Sequence, residues 1–396
     1  MANPMLTKLT ARGFRSLADV SLSLDPLTVL VGPNGSGKTN ILNVLRFLAS
    51  TVRFDLAAAV DDWGGYDFVR RQDGRPSRSR VTLGIQGIVT RHASANAPDD
   101  YRLSFYQTPR GLLSREESFA FKRTKGQGRR ITVTGRKVEF RRDDVDEAPS
   151  RTRELASRQA TGLATLPDWS DNEGGEGIRL LAEFLSNIRV LEPDVDAARQ
   201  PSRIIPGSLA DDASNLAPAL HGLSKNDPES FEILQGEMRQ CLPGLEAIEF
   251  QPMGGPGKGM VVTLREKGVR SPIELADASY GTVRLLALLT ALHEPDPPAF
   301  TAIEEADHGL HPYALDLLVE RMRAASRHTQ LLVTTHAPTF VNQLRPSELV
   351  VCDRDSETGA SLIPRVSRND LMRIKVKSKL RLGELWFSGA LGGVPD

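Results

Sequence analysis

The chain has 396 residues, 40% of them hydrophobic and 25% charged, the make-up of an ordinary soluble protein long enough for two or three domains or subdomains. Fifty basic and fifty acidic side chains cancel, so no global charge draws the molecule to nucleic acid or to an anionic membrane, and any such attraction has to be local.

Residues 6–31 read as two or three strands: Leu6–Ala11, the alternating run Val20-Ser21-Leu22-Ser23-Leu24, and a short apolar strand, Leu27–Val31. The last runs into Gly32-Pro33-Asn34-Gly35-Ser36-Gly37-Lys38-Thr39, which fits G-x-x-x-x-G-K-[ST]. A helical pattern follows in Ile41, Leu42, Val44, Leu45 and Leu48. In that order the three parts make a phosphate cradle. The glycines let successive N–H groups point inward, and the helix N-terminus adds partial positive charge. Gly32, Asn34, Gly35, Ser36, Gly37, Lys38, Thr39 and Asn40 are assigned to nucleotide binding, with Lys38 on the β- and γ-phosphates and the Thr39 hydroxyl on Mg²⁺.

Alternating segments such as Val81–Ile85 and Ile131–Thr134 predict an antiparallel β lobe over 76–142. From about 150 to 250 the signals are mostly helical, with Leu180, Leu181, Phe184, Leu185 and Ile188 on one helix face and Phe231, Ile233, Leu234 and Met238 on another, interrupted at Pro193, Pro201 and Pro206. No heptad pattern persists, so no long coiled coil is expected. The run Gly254-Gly255-Pro256-Gly257-Lys258-Gly259 lacks the Gly-Lys-[Ser/Thr] ending and reads as a hairpin loop.

From 277 onward helix and strand alternate, and the apolar runs 299–303 and 331–335 read as buried parallel strands. Asp277-Ala278-Ser279-Tyr280-Gly281-Thr282 opens a strongly apolar helix. Ser279 suits an N-cap, and the same helix end, with Gly281, could hold a second phosphate. The strand 299–303 ends in Glu304-Glu305. Adjacent strand residues point to opposite faces, so the two acids should do different jobs: Glu304 in the Mg²⁺ shell, Glu305 polarising the attacking water. Next come Ala306-Asp307-His308-Gly309-Leu310-His311-Pro312, a helix from Tyr313, and a strand ending in His336. The acids with His308 and His311 could also suggest a transition-metal site. Asp353-Arg354-Asp355 is read as a charged turn between edge strands rather than the D-x-D of a TOPRIM nuclease.

Cys241 and Cys352 have no metal-like spacing and are expected as buried thiols in a reducing cytoplasm. No apolar run approaches the ~20 residues needed to cross a bilayer and no secretory signal opens the chain, so a cytoplasmic protein without membrane contact is expected. Nine Lys/Arg fall between Lys122 and Arg142 (122, 123, 125, 129, 130, 136, 137, 141, 142) against the single acid Glu139, and Arg373, Lys375, Lys377, Lys379 and Arg381 alternate near the end. These patches could dock DNA, or be a solvated surface or one for an acidic partner; the acidic run 143–147 lies next door.

Five motifs in order, Gly13-Phe14-Arg15-Ser16-Leu17, the loop ending Gly37-Lys38-Thr39-Asn40, Ser279-Tyr280-Gly281-Thr282, Glu304-Glu305 with Gly309-Leu310-His311-Pro312, and Thr334-Thr335-His336-Ala337-Pro338, resemble ABC-type ATPases of the RecF/SMC/OLD group. More narrowly the chain resembles the RecF-like, AAA-family ATPases of bacterial genomes, often found in defence loci. The resemblance spans roughly 5–75 and 205–396. It implies an α/β fold: an ABC-type P-loop ATPase head (1–75 and 276–396) with an antiparallel β lobe (76–148), an inserted, mainly helical lobe (149–275) and no coiled coil. It further implies that ATP and Mg²⁺ bind, that Ser279 and Gly281 contact the γ-phosphate held by a second subunit, and that Asp307 to His311 cross the dimer interface. His336 would then be the switch histidine, and Arg15 a nucleotide contact. Glu305, His336 and Lys38 form the implied catalytic set, and Thr39, Glu304 and, least securely, Gln72 the metal set. Ala-Ser-Tyr-Gly-Thr departs from Leu-Ser-Gly-Gly-Gln, Ala306 replaces the usual proline, and Ala213 stands where relatives often carry glycine.

The expected function is ATP-driven dimerisation, as a homodimer or higher oligomer, switching a DNA-directed process. Defence against phage or plasmids with a separate nuclease or TOPRIM effector comes first, and RecF-like repair second. A nucleotide-dependent scaffold with little turnover, or a chain that itself cuts DNA through Asp353, are the rival readings. The long separation between Lys38 and Ser279 argues against a transporter ATPase.

Overall fold

The computed structural model describes residues 3–73, 79–122, 128–142, 151–169, 175–203, 207–254 and 259–392. Arg123 and Lys125 of the basic run, the acidic run 143–147, Pro206 and residues 255–258 lie outside these. From the amino end, β1 (Met5–Phe14), β2 (Leu17–Ser23) and β3 (Leu27–Val31) lead into α1 (Lys38–Arg53), α2 (Leu56–Asp62) and α3 (Tyr66–Val69). Strands β4 (Val81–Ile88), β5 (Asp99–Gln107), β6 (Leu113–Lys122), β7 (Gly128–Thr134), β8 (Lys137–Arg142) and β9 (Arg151–Glu154) follow. Then come α4 (Gly162–Thr165), α5 (Gly175–Ser186), β10 (Arg189–Leu191), α6 (Val195–Ala198), α7 (Leu216–Asn226), α8 (Pro228–Cys241), β11 (Leu245–Pro252), β12 (Met260–Glu266) and β13 (Ile273–Glu274). The last part holds α9 (Tyr280–Leu292), β14 (Phe300–Ile303), α10 (Pro312–Ala325), β15 (Gln330–Thr335), α11 (Pro338–Asn342), β16 (Leu349–Val351), β17 (Asp353–Arg354), β18 (Ser361–Leu362), α12 (Arg368–Lys377) and α13 (Leu382–Phe387).

A five-stranded sheet in the order β10-β14-β15-β3-β16, parallel throughout, divides the molecule. Its strands are buried on both faces, which is why they read as continuous apolar runs. Alternate residues go to different cores: Val29, Val31, Ile303, Leu331 and Val333 face one with α9 and α10, while Leu30, Phe300, Ala302 and Leu332 face another with α1. Helix α9 is apolar all round, and every residue from Thr282 to Leu292 is buried.

The second core is closed by an eight-stranded antiparallel sheet, β2-β1-β4-β5-β6-β7-β8-β9. The lobe strands β4–β9 therefore continue the sheet begun by β1 and β2, through the β1–β4 pairing of Leu9 with Ile85 and Ala11 with Leu83. The stretch expected to be mainly helical also holds β9, β10 and the antiparallel sheet β11-β12-β13. Strands β11 and β12 pair on either side of the second glycine-rich loop. Strand β17 pairs with β18, so Asp353 and Arg354 lie in a short hairpin ladder.

Cys352 is fully buried, and burial pushes its thiol up to about 12. Cys241, expected to be buried, is only partly so. Ala213 sits at φ +60, a conformation glycine adopts freely and alanine does not. Among the described residues no helix is long and apolar enough to cross a membrane.

Candidate nucleotide site

The carboxyl ends of β10, β14, β15 and β3 lie along one edge of the parallel sheet, where open α/β sheets place their ligand crevices. At the end of β3 the loop 32–37 turns into α1 through Gly37, which takes the N-cap position at φ +100 with no side-chain cap, leaving the helix's first N–H groups to the loop. A Cβ on Gly37 would run into Ser361 Oγ, and one on Gly32 into the Cys352 carbonyl. The Gly37→Ala chain should therefore bind ATP at least tenfold more weakly in a fluorescent-analogue titration, since left-handed backbone and clash add. Undiminished affinity would mean that this loop is not the phosphate cradle.

Lys38 Nζ donates to the carbonyls of Gly32 (2.7 Å) and Pro33 (3.1 Å), arching over the loop. Burial lowers its pKa, and Cys352, Glu305, Asp307 and Glu304 pull it back up, so all three acids lie within electrostatic reach of the ammonium. Thr39 is exposed in the first turn, and Ser36 Oγ is buried without a hydrogen-bond partner in the structure. Asn34 and Gly35 are exposed at the loop tip. Asn40 Nδ2 donates to Ser16 Oγ (2.8 Å), which shares a hydrogen bond with Ser361 Oγ (2.6 Å).

The two acids lie just beyond β14, where strand alternation no longer applies, and they differ in exposure. The Glu304 side chain is only 10% exposed and accepts from Arg46 Nη1 at 3.3 Å. The Glu305 side chain is 42% exposed and meets His308 Nδ1 at 3.3 Å. Glu305 stands at φ +47; its N–H donates to Thr334 Oγ1 (2.9 Å) and its carbonyl accepts from Arg284 Nη2 (2.8 Å), which also reaches the Glu304 carbonyl (3.0 Å). Arg284, buried on α9, thus braces the backbone of both. His336, after β15, has Nε2 3.7 Å from Asp307 Oδ2, and Asp307 Oδ1 is buried without a hydrogen-bond partner in the structure.

Ser279 caps α9, its Oγ accepting from the Thr282 N–H (3.1 Å). Gly281 packs so close to the loop after β14 that a Cβ would come 2.6 Å from the Gly309 carbonyl, and Gly309 itself adopts φ +70 beneath the Tyr280 ring. The structure so joins Ser279–Gly281 to the Asp307–His311 loop, and joins Lys38, Glu304, Glu305, Asp307 and His336 at one sheet edge. Arg15 and Gln72 line a cleft of about 300 Å³ beside the loop, with Ser16, which holds Asn40, and Arg354, which lies next to Gly35. Arg15, at φ +46, stacks 4.7 Å over Trp63, and Gln72 Nε2 donates to the Asp67 carbonyl (2.9 Å).

The residue found beside Glu304 is not Gln72 but Glu192, which the sequence reading missed. It follows β10, whose Leu191 pairs with Ile303 of β14, and Arg46 Nη2 binds it at 2.9 Å. Its signal is the short run Arg189-Val190-Leu191 leading straight into Glu-Pro, a strand that ends in an acid as β14 does. With Thr39 at the start of α1, the two carboxylates fit a divalent cation, since they already hold a cationic guanidinium between them.

The family described as "AAA domain, putative AbiEii toxin, Type IV TA system" matches residues 27–342. The chain is similar to the DNA replication and repair protein RecF of Streptomyces avermitilis, 29% identical over 225 residues, 51% of this chain and 59% of that protein. It shares 48 residues at 48% identity with the OLD nuclease of Thermus scotoductus, 12% of this chain and 9% of the nuclease. It therefore spans under two thirds of either relative's length. The crystal structure of the SmcHead bound to the C-winged helix domain of ScpA covers 93% of this chain and 99% of its own, at TM-score 0.54 and 14% identity, a likeness of fold.

Proposed function

The chain belongs to this AAA-domain family and to the ABC-type RecF/SMC/OLD group of ATPases, and from that premise we propose that it closes on ATP as a dimer, hydrolyses it, and thereby switches a DNA-directed process. The observation that carries the reading is the convergence of Lys38, Glu304, Glu305 and His336 on one edge of the parallel sheet. The loop N–H groups and Lys38 bind the triphosphate, Lys38 leaving its own loop carbonyls to do so. Thr39 and Glu304, with Glu192, would hold Mg²⁺, which neutralises charge on the β- and γ-phosphates. Glu305, half-exposed on a fixed backbone, takes the proton of the attacking water. Asp307 orients His336 toward the γ-phosphate. Arg15 and Gln72 act from the neighbouring cleft.

Ser279 and Gly281 act on the nucleotide of the second copy. The Ser279→Arg chain should bind ATP within about threefold of wild type yet fail to dimerise when ATP is added, as read by light scattering after gel filtration. An ATP-induced dimer in this variant would remove Ser279 from the interface.

For DNA, the hairpin β7–β8 is the candidate surface. Of its basic residues, Arg129 is buried, Arg136 pairs with Glu154 (3.7 Å) and Lys137 pairs with Glu139. Arg130 and Arg141 are exposed and lie directly opposite each other across the two strands. Like charges so placed cost stability, and a phosphate between them offsets that cost. The Arg130→Glu, Arg141→Glu chain should lose DNA affinity and its log–log salt slope should fall by about 2. An unchanged slope would leave this hairpin a solvated surface. In biological terms we favour defence, with the nuclease on a separate chain, the reading supported by the toxin-system description and the stretch shared with a nuclease. The longer RecF likeness supports repair as the second reading.

A further inference from the structure

We propose that Arg46 is a positioning residue that stands in for the divalent cation at Glu304 and Glu192, so that metal loading requires this α1 side chain to let go. The inference rests on the ATPase reading and deepens it. Arg46 reaches Glu192 Oε2 through Nη2 (2.9 Å) and Glu304 Oε2 through Nη1 (3.3 Å), and Nη1 also lies 3.3 Å from Asn43 Oδ1 on its own helix. The two acids come from the ends of neighbouring parallel strands, so without a cation between them they would repel, and Glu304 would be a nearly buried charge that has lost its ion-pair partner. The planar fork of a guanidinium can bridge two carboxylates, which an ammonium cannot do with the same geometry.

A divalent ion arriving at Glu304 meets the guanidinium's positive charge and competes with it for Oε2, the oxygen that Arg46 holds. The exit is built in. Arg46 borders a cleft of about 570 Å³ with Arg15, Arg53, Trp63, Asp62 and Asp211. Asp211 lines the same cleft, and its carbonyl accepts the Glu192 N–H (2.8 Å), so an acid that can receive the guanidinium stands beside the one it leaves. The exchange is between neighbouring anions: Glu304 releases the guanidinium as the metal takes over, and Asp211 accepts it.

The test is Mn²⁺ binding, followed by electron paramagnetic resonance, on the full chain with a non-hydrolysable ATP analogue. Removing a positive charge within hydrogen-bond reach of a metal-facing carboxylate should tighten Mn²⁺ binding by roughly tenfold in Arg46→Met. Arg46→Lys, which keeps the charge, should stay within about threefold of wild type. In the Arg46→Met background, Glu192→Gln should return most of the gain. Arg46→Gln serves in place of methionine if the latter fails to fold, with the same direction expected. Mn²⁺ affinity that is unchanged or weaker in a folded Arg46 variant overturns the inference but leaves the ATPase reading standing, provided wild type binds the analogue and Lys38→Ala does not. Wild-type binding that does not depend on Lys38 overturns both.

Discussion

Glu305→Gln should hydrolyse ATP two to three orders of magnitude more slowly than wild type while binding ATP within about threefold of it, the loss expected when a positioned general base is removed. The substitution is nearly isosteric. The residue's backbone is held by Thr334 Oγ1 on one side and Arg284 on the other, so its φ of +47 should survive the change. What is lost is the ability to accept a proton. Glutamine should also prolong the ATP-bound state, so the ATP-induced dimer should outlast that of wild type in a chase experiment. A kcat equal to wild type would sink the assignment of Glu305. The variant separates biological readings as well: if it keeps full biological activity without turnover, the protein works as a nucleotide-assembled scaffold. Glu304→Gln is the informative companion. It removes the charge that pairs with Arg46 and should shift metal dependence in addition to rate.

Glu117→Ala should destabilise the chain by about 3–5 kcal/mol, the cost of stripping one partner from a buried ion pair. Glu117 is fully buried on β6, with Arg115 Nη1 2.9 Å from Oε1, close enough to pair but outside hydrogen-bond alignment. It also accepts from Tyr101 Oη (3.0 Å) and takes the Gly162 N–H on both oxygens (2.8 and 3.0 Å), at the start of α4. Alanine leaves Arg115 charged and buried, with only the Ala160 carbonyl among its hydrogen-bond partners. Glu117→Gln keeps part of the hydrogen bonding and should fall between. The measurement is the urea midpoint of the lobe by tryptophan fluorescence, Trp169 lying close to α4 and α5. A shift equivalent to less than about 1 kcal/mol would mean that Arg115 finds water or another acceptor.

The parts of this site legible in the sequence are those written as a strand running straight into its functional residue. Val31 into the glycine-rich loop, Ile303 into Glu304 and Thr335 into His336 are each local, and each strand is apolar on both faces because it is central. Burial of Arg284 was hidden because an arginine in an apolar helix carries no mark of its backbone partners. Glu192 and Glu304 are distant in sequence and share Arg46 only because β10 and β14 are neighbours, a fact of topology rather than of pattern. Strand β10 itself is three residues long, too short for a period to register. The basic run misled in a different way. Counting charges could not distinguish inward Arg129 from outward Arg130, since strand alternation sends neighbours to opposite faces.

The phosphate loop is encoded near the start of the chain but is seated by its end. Strand β3 is hydrogen-bonded on one side to β15 and on the other to β16, and the contact of Asn40 with the Ser16 hydroxyl closes only onto Ser361. During synthesis, then, residues 27–40 leave the ribosome long before the strands that flank them. A nascent chain halted short of β15 holds the binding motif without its walls, so it should not capture ATP, and nucleotide can stabilise only chains that have been made past β16.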